Sequence, residues 1–197
     1  MKVASLSGSP RESVGKKDAR ELRKADRIPG VLYGGNEQYH FHLETIPVHK
    51  LVYNPDVFKI ELELNGKVYP SIIKEIQYHP VTDKIVHIDF LQLFDDKAVT
   101  VKIPVRTVGN SVGVRNGGRL SINHRSLTLR GLPGDIPEFV GVDISNLEIG
   151  EDLRVRDLKT ENYAILQADS DVVVTVKRTR AAIAAAAAAA AASGGKK

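Results

Sequence analysis

Apolar and charged residues alternate strictly over residues 58–64, FKIELEL. A period of two is typical of a strand that buries one face and exposes the other. The pair Asn65-Gly66 follows directly, and such a pair favours the type I′ turn of a two-residue hairpin, which needs positive φ at both positions. The sequence therefore predicts a β-hairpin whose return strand runs over residues 68–78.

Similar patterns on both sides of this hairpin predict more strands than helices. The predicted extended segments are residues 28–33, 38–44, 85–93, 99–105, 127–129 and 172–176. Helices are predicted over residues 17–27 and 47–54, and the glycine-rich residues 109–118 are predicted to form a loop. The fold class is therefore mainly β with minor α.

A second β-rich pattern begins directly after Phe94-Asp95-Asp96, which marks a candidate domain boundary. We expect an N-terminal domain over residues 1–94 and a β-rich C-terminal domain over residues 95–180. Residues 181–192 are alanine except for Ile183, and Ser-Gly-Gly-Lys-Lys follows. Alanine favours a helix but buries almost nothing, so residues 181–197 are predicted to be a low-complexity, Ala-rich tail.

The predicted helix over residues 17–27 is basic on one side. Arg20, Arg23 and Arg27 fall at i, i+3 and i+7, which places them on one face, and Lys16 leads into that face. Pro29 keeps the helix from running much further. A row of cations on a fixed helix suits a polyanion. The same segment also carries Asp18, Glu21 and Asp26. An ordinary solvated surface helix is therefore the alternative.

The chain of 197 residues is mildly basic, with a formal net charge of +4. This charge permits nucleic-acid binding without requiring it. The chain has no cysteine, which excludes disulfides, thiolate nucleophiles and cysteine zinc sites. No apolar run approaches the ~20 residues of a membrane span, and the first residues lack the apolar core of a secretory signal. We therefore expect a cytoplasmic protein.

The sequence offers little catalytic chemistry. His40 and His42 alternate on a predicted strand and would face the same side, as two zinc ligands do. No motif supplies a third ligand, and residues 109–118 lack the spacing of a phosphate-binding P-loop. A metal-dependent hydrolase using His40 and His42 is kept as an alternative. The main expectation is a protein without enzymatic activity, metal or cofactor.

Two polar residues share a face within VHIDF, residues 86–90. On a strand, His87 and Asp89 point to one side while Ile88 and Phe90 point to the core. A carboxylate can accept hydrogen bonds from base amino groups or ribose hydroxyls, even though phosphates repel it. A cationic helix would then position an RNA that a polar strand face reads. In the alternative, the two residues form a structural pair with each other or with Arg20.

These motifs occur in an order that resembles the bacterial large-subunit ribosomal protein family L twenty-five, whose longer members are called CTC or general stress proteins. The matching positions in the first half are Arg11, Gly15-Lys16, Arg20-Glu21-Leu22-Arg23, Pro29, Tyr33-Gly34, Gln77, His79-Pro80 and His87-Ile88-Asp89-Phe90. Those in the second half are Val114, Gly117-Gly118, Leu132-Pro133, Ile136-Pro137, Asp143-Ile144-Ser145, Leu147, Ile149-Gly150 and Asp157-Leu158. The resemblance covers roughly residues 3–178.

The resemblance implies an N-terminal small β-barrel with short helices that binds 5S ribosomal RNA at its loop E helix. It implies a β-rich C-terminal domain as well. The residues at the family's RNA-contacting positions are Arg11, Lys16, Arg20, Tyr33, His87 and Asp89. Arg23 falls in the same motif as Arg20, and Lys74 and Gln77 occupy strand positions that are expected to face the RNA as well. The implied partners are 5S rRNA and the ribosomal proteins and rRNA near it, with no membrane and no small-molecule substrate.

The chain departs from the family pattern in two places. Glu21 stands where short members often carry a second arginine, and Ser7-Gly8-Ser9-Pro10 precedes Arg11. A further alternative assigns the interaction to the C-terminal half, so that the chain acts as a protein–protein adaptor.

Overall fold

The computed structural model describes residues 1–35, 37–160 and 162–180, so the predicted tail over residues 181–197 lies outside the described residues. The described chain forms two compact units. The first contains Met1–Val101 and Arg130–Glu138, and the second contains Lys102–Leu129 and the described residues from Phe139 onward. The first unit thus takes a segment from beyond the predicted boundary after residue 94, which stays a prediction.

A closed barrel of six strands is the main part of the first unit. Its strands are β1 (Lys2–Pro10), β2 (Arg27–Tyr33), β3 (Tyr39–Glu44), β4 (Phe58–Leu64), β5 (Lys67–Tyr78) and β6 (Ile85–Gln92). Two helices accompany them, α1 (Lys16–Lys24) and α2 (Thr45–Val52). The order around the barrel is β1-β3-β2-β6-β5-β4. The predicted small β-barrel with short helices is therefore confirmed.

The strand directions show how the barrel closes. β1 runs parallel to β4, and β2 runs parallel to β6. The other neighbouring pairs are antiparallel. The β4–β5 connection is the predicted hairpin, with Asn65 at φ 51° and Gly66 at φ 74°. Both values lie in the positive region that the type I′ turn requires.

The barrel interior is filled by aliphatic side chains and two phenylalanines. Phe41 and Phe90 are fully buried, and their ring centroids lie 5.6 Å apart with the planes tilted by 51°. The fully buried aliphatic residues include Leu32, Leu62 and Ile88. Because side chains alternate along each strand, residues next to these point outward, and the outward side chains of β2, β5 and β6 form the surface considered below.

The first helix is shorter than predicted. α1 ends at Lys24 rather than at residue 27, because Asp26 has φ 52° and turns the chain in the left-handed region. Arg27 then starts β2, opposite Glu44 of β3. The placement of Arg27 on the basic helix face was therefore wrong. Strand pairing, which the sequence does not reveal at this point, takes Arg27 out of the helix.

The rest of the described chain adds further strands and short helical turns. The strands are β7 (Val99–Val108), β8 (Arg119–Ile122), β9 (Ser126–Gly131), β10 (Val140–Asp143), β11 (Asp152–Arg154), β12 (Tyr163–Ile165) and β13 (Val172–Lys177). They form a four-stranded sheet, β10-β7-β9-β12, and a three-stranded sheet, β11-β13-β8. A 3₁₀ turn spans Val155–Asp157.

The glycine-rich residues 109–118 are more ordered than a plain loop. They contain the helical turn α3 (Val112–Arg115), which Ser111 caps by accepting a hydrogen bond from the Val114 N–H at 3.3 Å. The Ser111 hydroxyl also donates to the Leu147 carbonyl at 2.7 Å. A Cβ at Gly113 would lie 2.6 Å from the backbone carbon of Glu148. The backbone of residue 148 therefore leaves no room for a side chain at position 113, which explains why glycine occupies it.

Candidate nucleic-acid interface

The outward side chains of three neighbouring strands form one polar face. Asp89 of β6 lies opposite Val31 of β2 and opposite Glu75 of β5. His87 lies opposite Gln77 of β5. Paired residues on adjacent strands project to the same side. Together with Tyr33, the residues Glu75, Gln77, His87 and Asp89 define what we call the strand face.

A bulge in β5 sets the composition of this face. The β5–β6 register shifts between Ile73 and Glu75, so Lys74 has no partner in the ladder. Strict alternation from Ile73, which packs on the barrel core, would have turned Glu75 and Gln77 inward. The extra residue turns them outward instead. Sequence patterning missed Glu75, because only the pairing with β6 reveals the bulge.

Lys74 itself projects from this bulge. Its side chain is exposed, and the ammonium donates a hydrogen bond to the Thr100 carbonyl at 3.2 Å. Lys74, which was predicted to contact RNA, therefore also links the bulge to Thr100.

His87 and Asp89 are joined by a short hydrogen bond. The distance from His87 Nδ1 to Asp89 Oδ1 is 2.6 Å, and the two side chains are 24% and 27% exposed. The structural pair considered as an alternative is thus present. It lies on the outer surface, where the second carboxylate oxygen and the second ring nitrogen keep their own hydrogen-bonding capacity. The pairing fixes the positions of the two side chains but leaves both accessible to a ligand.

Tyr33 lies near the carboxylates of Asp89 and Glu75. Partial burial raises the pKa of the Tyr33 hydroxyl above its ordinary value of 10.0, and the charges of Asp89 and Glu75 raise it further. The hydroxyl therefore stays protonated at neutral pH and is available as a donor. An aromatic ring with a donor at its tip, next to an acceptor pair, suits the bases and ribose hydroxyls of RNA.

The basic helix is fastened beside this face. Lys16, Arg20 and Arg23 are exposed on α1, whereas Ala19 and Leu22 are half-buried. The guanidinium Nε of Arg23 donates to the Val86 carbonyl at 3.2 Å, one residue before His87 on β6. Arg20 lies about one turn earlier on the same helix face. The hydrogen bond therefore places the C-terminal part of α1 beside the start of β6, next to the strand face.

Arg11 differs from the other predicted contacts because its guanidinium is engaged within the protein. Its side chain is 6% exposed. Nε lies 2.9 Å from Asp18 Oδ2, and Nη2 contacts the same oxygen. Asp18 is in the first turn of α1, where the helix dipole favours a carboxylate. Arg11 thus joins the end of β1 to the start of α1 and positions the helix.

The two histidines of the hydrolase alternative do not form a metal centre. His42 Nδ1 lies 3.2 Å from Arg27 Nη1, and a guanidinium donor competes with a metal for that nitrogen. Over residues 1–35, 37–160 and 162–180, no three potential ligands among His, Asp and Glu are grouped to hold a metal ion. Within the same ranges, no helix is long and apolar enough to cross a bilayer.

His42 gives the barrel a pH dependence. Burial, followed by the charges of Arg27 and Arg11, lowers the pKa of His42 from 6.5. The unfolded chain therefore binds a proton at a higher pH than the folded chain, so stability should fall as the pH drops below about 6.5. We expect the urea midpoint to fall less in His42→Gln than in the wild type between about pH 7.5 and 5.5. Equal falls in both proteins would contradict this assignment.

Two family models match successive parts of the chain. The profile of the Ribosomal L25p family matches residues 6–90, and that of the ribosomal protein TL5 C-terminal domain matches residues 98–180. A large ribosomal subunit protein bL25 from Porphyromonas gingivalis is 45% identical over 184 residues, which cover 92% of this chain and 96% of the relative. The chain belongs to the bL25 family.

Other bL25 proteins match over similar lengths. The large ribosomal subunit protein bL25 of Azobacteroides pseudotrichonymphae is 44% identical, with 92% of this chain and 97% of the relative covered. That of Christiangramia forsetii is 43% identical, with 91% and 83% covered. The family resemblance drawn from the motifs is confirmed. Since bL25 proteins are structural ribosomal proteins, the prediction that the chain is not an enzyme is confirmed too.

Proposed function

We propose that the chain is a structural constituent of the large ribosomal subunit, in the cytoplasm, that binds 5S rRNA in the loop E region through its N-terminal barrel. The observation that carries this proposal is the Arg23–Val86 hydrogen bond, which fastens the basic helix α1 to β6 one residue before His87 of the strand face. The relatives' name, large ribosomal subunit protein, supports the ribosomal setting.

The two parts of this surface have different tasks in the proposal. Lys16, Arg20 and Arg23 neutralise phosphates and set the position of the RNA, since phosphate contacts carry orientation rather than sequence. Tyr33, Gln77 and the His87–Asp89 pair contact bases and ribose hydroxyls. A regular A-form helix hides its base edges in a deep groove, whereas an irregular internal loop exposes them to such side chains.

The carboxylates explain why the face selects an RNA rather than attracting any polyanion. Glu75 and Asp89 lie opposite each other across β5 and β6, and negative charge there opposes non-specific phosphate binding. A ligand gains from this surface only where it presents amino or hydroxyl donors. Both acidic residues therefore lower general affinity, and Asp89, as the proposed contact, also favours a matching site.

Neighbouring ribosomal proteins and rRNA near the 5S particle are the further partners in this proposal. The second unit offers Phe139 and Val108, which are 39% and 53% exposed. A Cβ at Gly141 would lie 3.8 Å from both side chains, so the two lie close together. An exposed apolar pair beside the Arg106 guanidinium, 4.9 Å from the Phe139 ring, suits a protein surface.

The salt dependence of 5S rRNA binding tests the helix. Arg20→Ala is expected to weaken binding and to lower the slope of log affinity against log salt by about 0.9 for a duplex contact, or about 0.7 for a single strand. The measurement is a filter-binding titration of the full chain against 5S rRNA over a range of salt, with an unrelated stem-loop RNA for comparison.

Arg119→Ala is the matched control, because Arg119 is an exposed arginine on β8 outside the barrel. Its slope should equal that of the wild type. A slope for Arg20→Ala that also equals the wild-type slope would remove the phosphate role of α1. A wild-type chain that binds both RNAs equally would contradict the proposed function as a whole.

A further inference from the structure

A basic pocket opens at one end of the barrel, beside the strand face. Its volume is ≈ 190 Å³. The charged and imidazole side chains that line it are Arg23, Asp26, Arg27, His49, His79 and Lys84. They come from α1, β2, α2 and the β5–β6 loop, so the pocket is built by four separate parts of the first unit. We call this set the basic pocket.

The charge of the basic pocket favours an anion. Arg23, Arg27 and Lys84 supply three cations against the single carboxylate of Asp26. The lining therefore carries a net charge of about +2 even with both histidines neutral, a concentration of charge that attracts phosphate. Of these residues, only Arg23 has a place in the proposed function.

Local hydrogen bonds hold the pocket open in a defined shape. Arg23 is fixed by the Val86 carbonyl, and Arg27 by His42 Nδ1. The β5–β6 loop is closed by the His79 N–H, which donates to the Lys84 carbonyl at 2.8 Å. This bond sets the base of the Lys84 side chain at the entrance to β6.

His79 is positioned as a donor. Its Nδ1 accepts from the backbone N–H groups of Val81 and Thr82, at 3.4 and 3.3 Å. A neutral imidazole whose Nδ1 accepts carries its proton on Nε2. The ring therefore offers an N–H donor as well as a brace for the loop, and both donors and cations line one small cavity.

The basic pocket continues the strand face along β6. Val86, which lines the pocket, directly precedes His87. At about 3.3 Å per residue, Lys84 lies about 10 Å along the chain from His87 and about 17 Å from Asp89. An RNA backbone that crosses the strand face can therefore place its next phosphates at the pocket.

We propose that the basic pocket holds a phosphate group of the RNA that the strand face binds, with Lys84, Arg27 and the His79 N–H as its contacts. The proposal rests on the proposed function and adds a second anchoring point, on the β5–β6 loop, that is separate from Arg20. It places the RNA backbone along β6 rather than across α1 alone.

Lys84→Gln in the full chain tests this site. Its salt slope for 5S rRNA should fall by about 0.9, so its disadvantage against the wild type should shrink about three- to fourfold between about 50 and about 200 mM salt. Lys84→Arg should restore the wild-type slope, because it keeps the charge. Lys67→Gln is the matched control. Lys67 is exposed and begins β5, at the opposite end of that strand from the β5–β6 loop.

The possible outcomes separate the two proposals. A wild-type slope in Lys84→Gln, together with a reduced slope in Arg20→Ala, overturns the pocket and leaves the proposed function standing. If the wild type fails to distinguish 5S rRNA from the unrelated stem-loop, the proposed function fails and the pocket proposal falls with it. A third arm titrates inorganic phosphate while NMR follows the histidine ring protons. Saturable phosphate binding lost in Lys84→Gln, with RNA affinity unchanged, identifies a free-anion site and overturns the proposal.

Discussion

Replacing Phe90 by alanine is expected to lower the free energy of unfolding of the barrel by about 3–5 kcal/mol. The Phe90 side chain is fully buried, and its ring packs against Phe41 with centroids 5.6 Å apart. A closed barrel cannot collapse freely around the resulting cavity, because its strands are paired on both sides. The measurement is a urea titration followed by circular dichroism at the transition of the first unit.

Phe94→Ala is the matched control for the loss of a phenyl ring. Phe94 is only half-buried, and its ring lies 4.4 Å from the Lys97 ammonium. Its removal should cost about 1–2 kcal/mol, from partial burial and the cation–π contact. A loss in Phe90→Ala that is no larger than this would contradict the packing described for the barrel interior.

Asp89→Asn is expected to reduce affinity for 5S rRNA by about 1–3 kcal/mol, as for other base-edge contacts, without lowering the salt slope. Asparagine keeps the shape but replaces one acceptor oxygen with a donor, so it opposes the amino and hydroxyl groups that the carboxylate would accept from. The measurement is the affinity for 5S rRNA and the unrelated stem-loop at several salt concentrations.

Glu75→Gln serves as the control for this experiment, because Glu75 lies opposite Asp89 on the same face. It removes the same charge, but Glu75 has no proposed contact, so affinity should stay equal or rise slightly. Asp89→Asn should also bring the pKa of Tyr33 back toward 10.0, since the Asp89 carboxylate raises it. Unchanged or tighter binding of 5S rRNA by Asp89→Asn would contradict the proposed contact between the Asp89 carboxylate and the bases or ribose hydroxyls.

Local signals in the sequence predicted the elements that depend on local chemistry. The hairpin at Asn65-Gly66 was found because its turn type demands residues that tolerate positive φ. The strand over residues 85–93 was found because apolar residues alternate there, and the alternation also placed His87 and Asp89 on one face. These elements carry four of the nine predicted contacts, Lys74, Gln77, His87 and Asp89.

Long-range pairing decided what local patterns missed. Arg27 has good helical spacing, yet it pairs with Glu44 in the barrel. The bulge at Lys74 depends on the register with β6, so the outward position of Glu75 had no local signal. The barrel itself was implied by the family resemblance, since no pattern in the chain reveals that β1 and β4 run parallel.

The engagement of Arg11 with Asp18 had a weak local signal. The two residues are seven positions apart. Arg11 follows the end of β1 and Asp18 lies in α1, so no single helix or strand periodicity relates them. A cation at the end of a strand looks the same in sequence whether it binds a ligand or a neighbouring carboxylate. Only the 6% exposure of its side chain distinguishes the two.

The parallel closure of the barrel has a consequence for synthesis of the nascent chain. Lys2 pairs with Phe58, and Gly30 pairs with Ile88, so β1 and β2 must wait for partners that are translated much later. Contacts this distant in sequence delay folding. During that interval the edge of β1 is unpaired and open to association with other chains. Charged Lys2 and the polar Ser5, Ser7 and Ser9 along this strand reduce that hazard until β4 arrives.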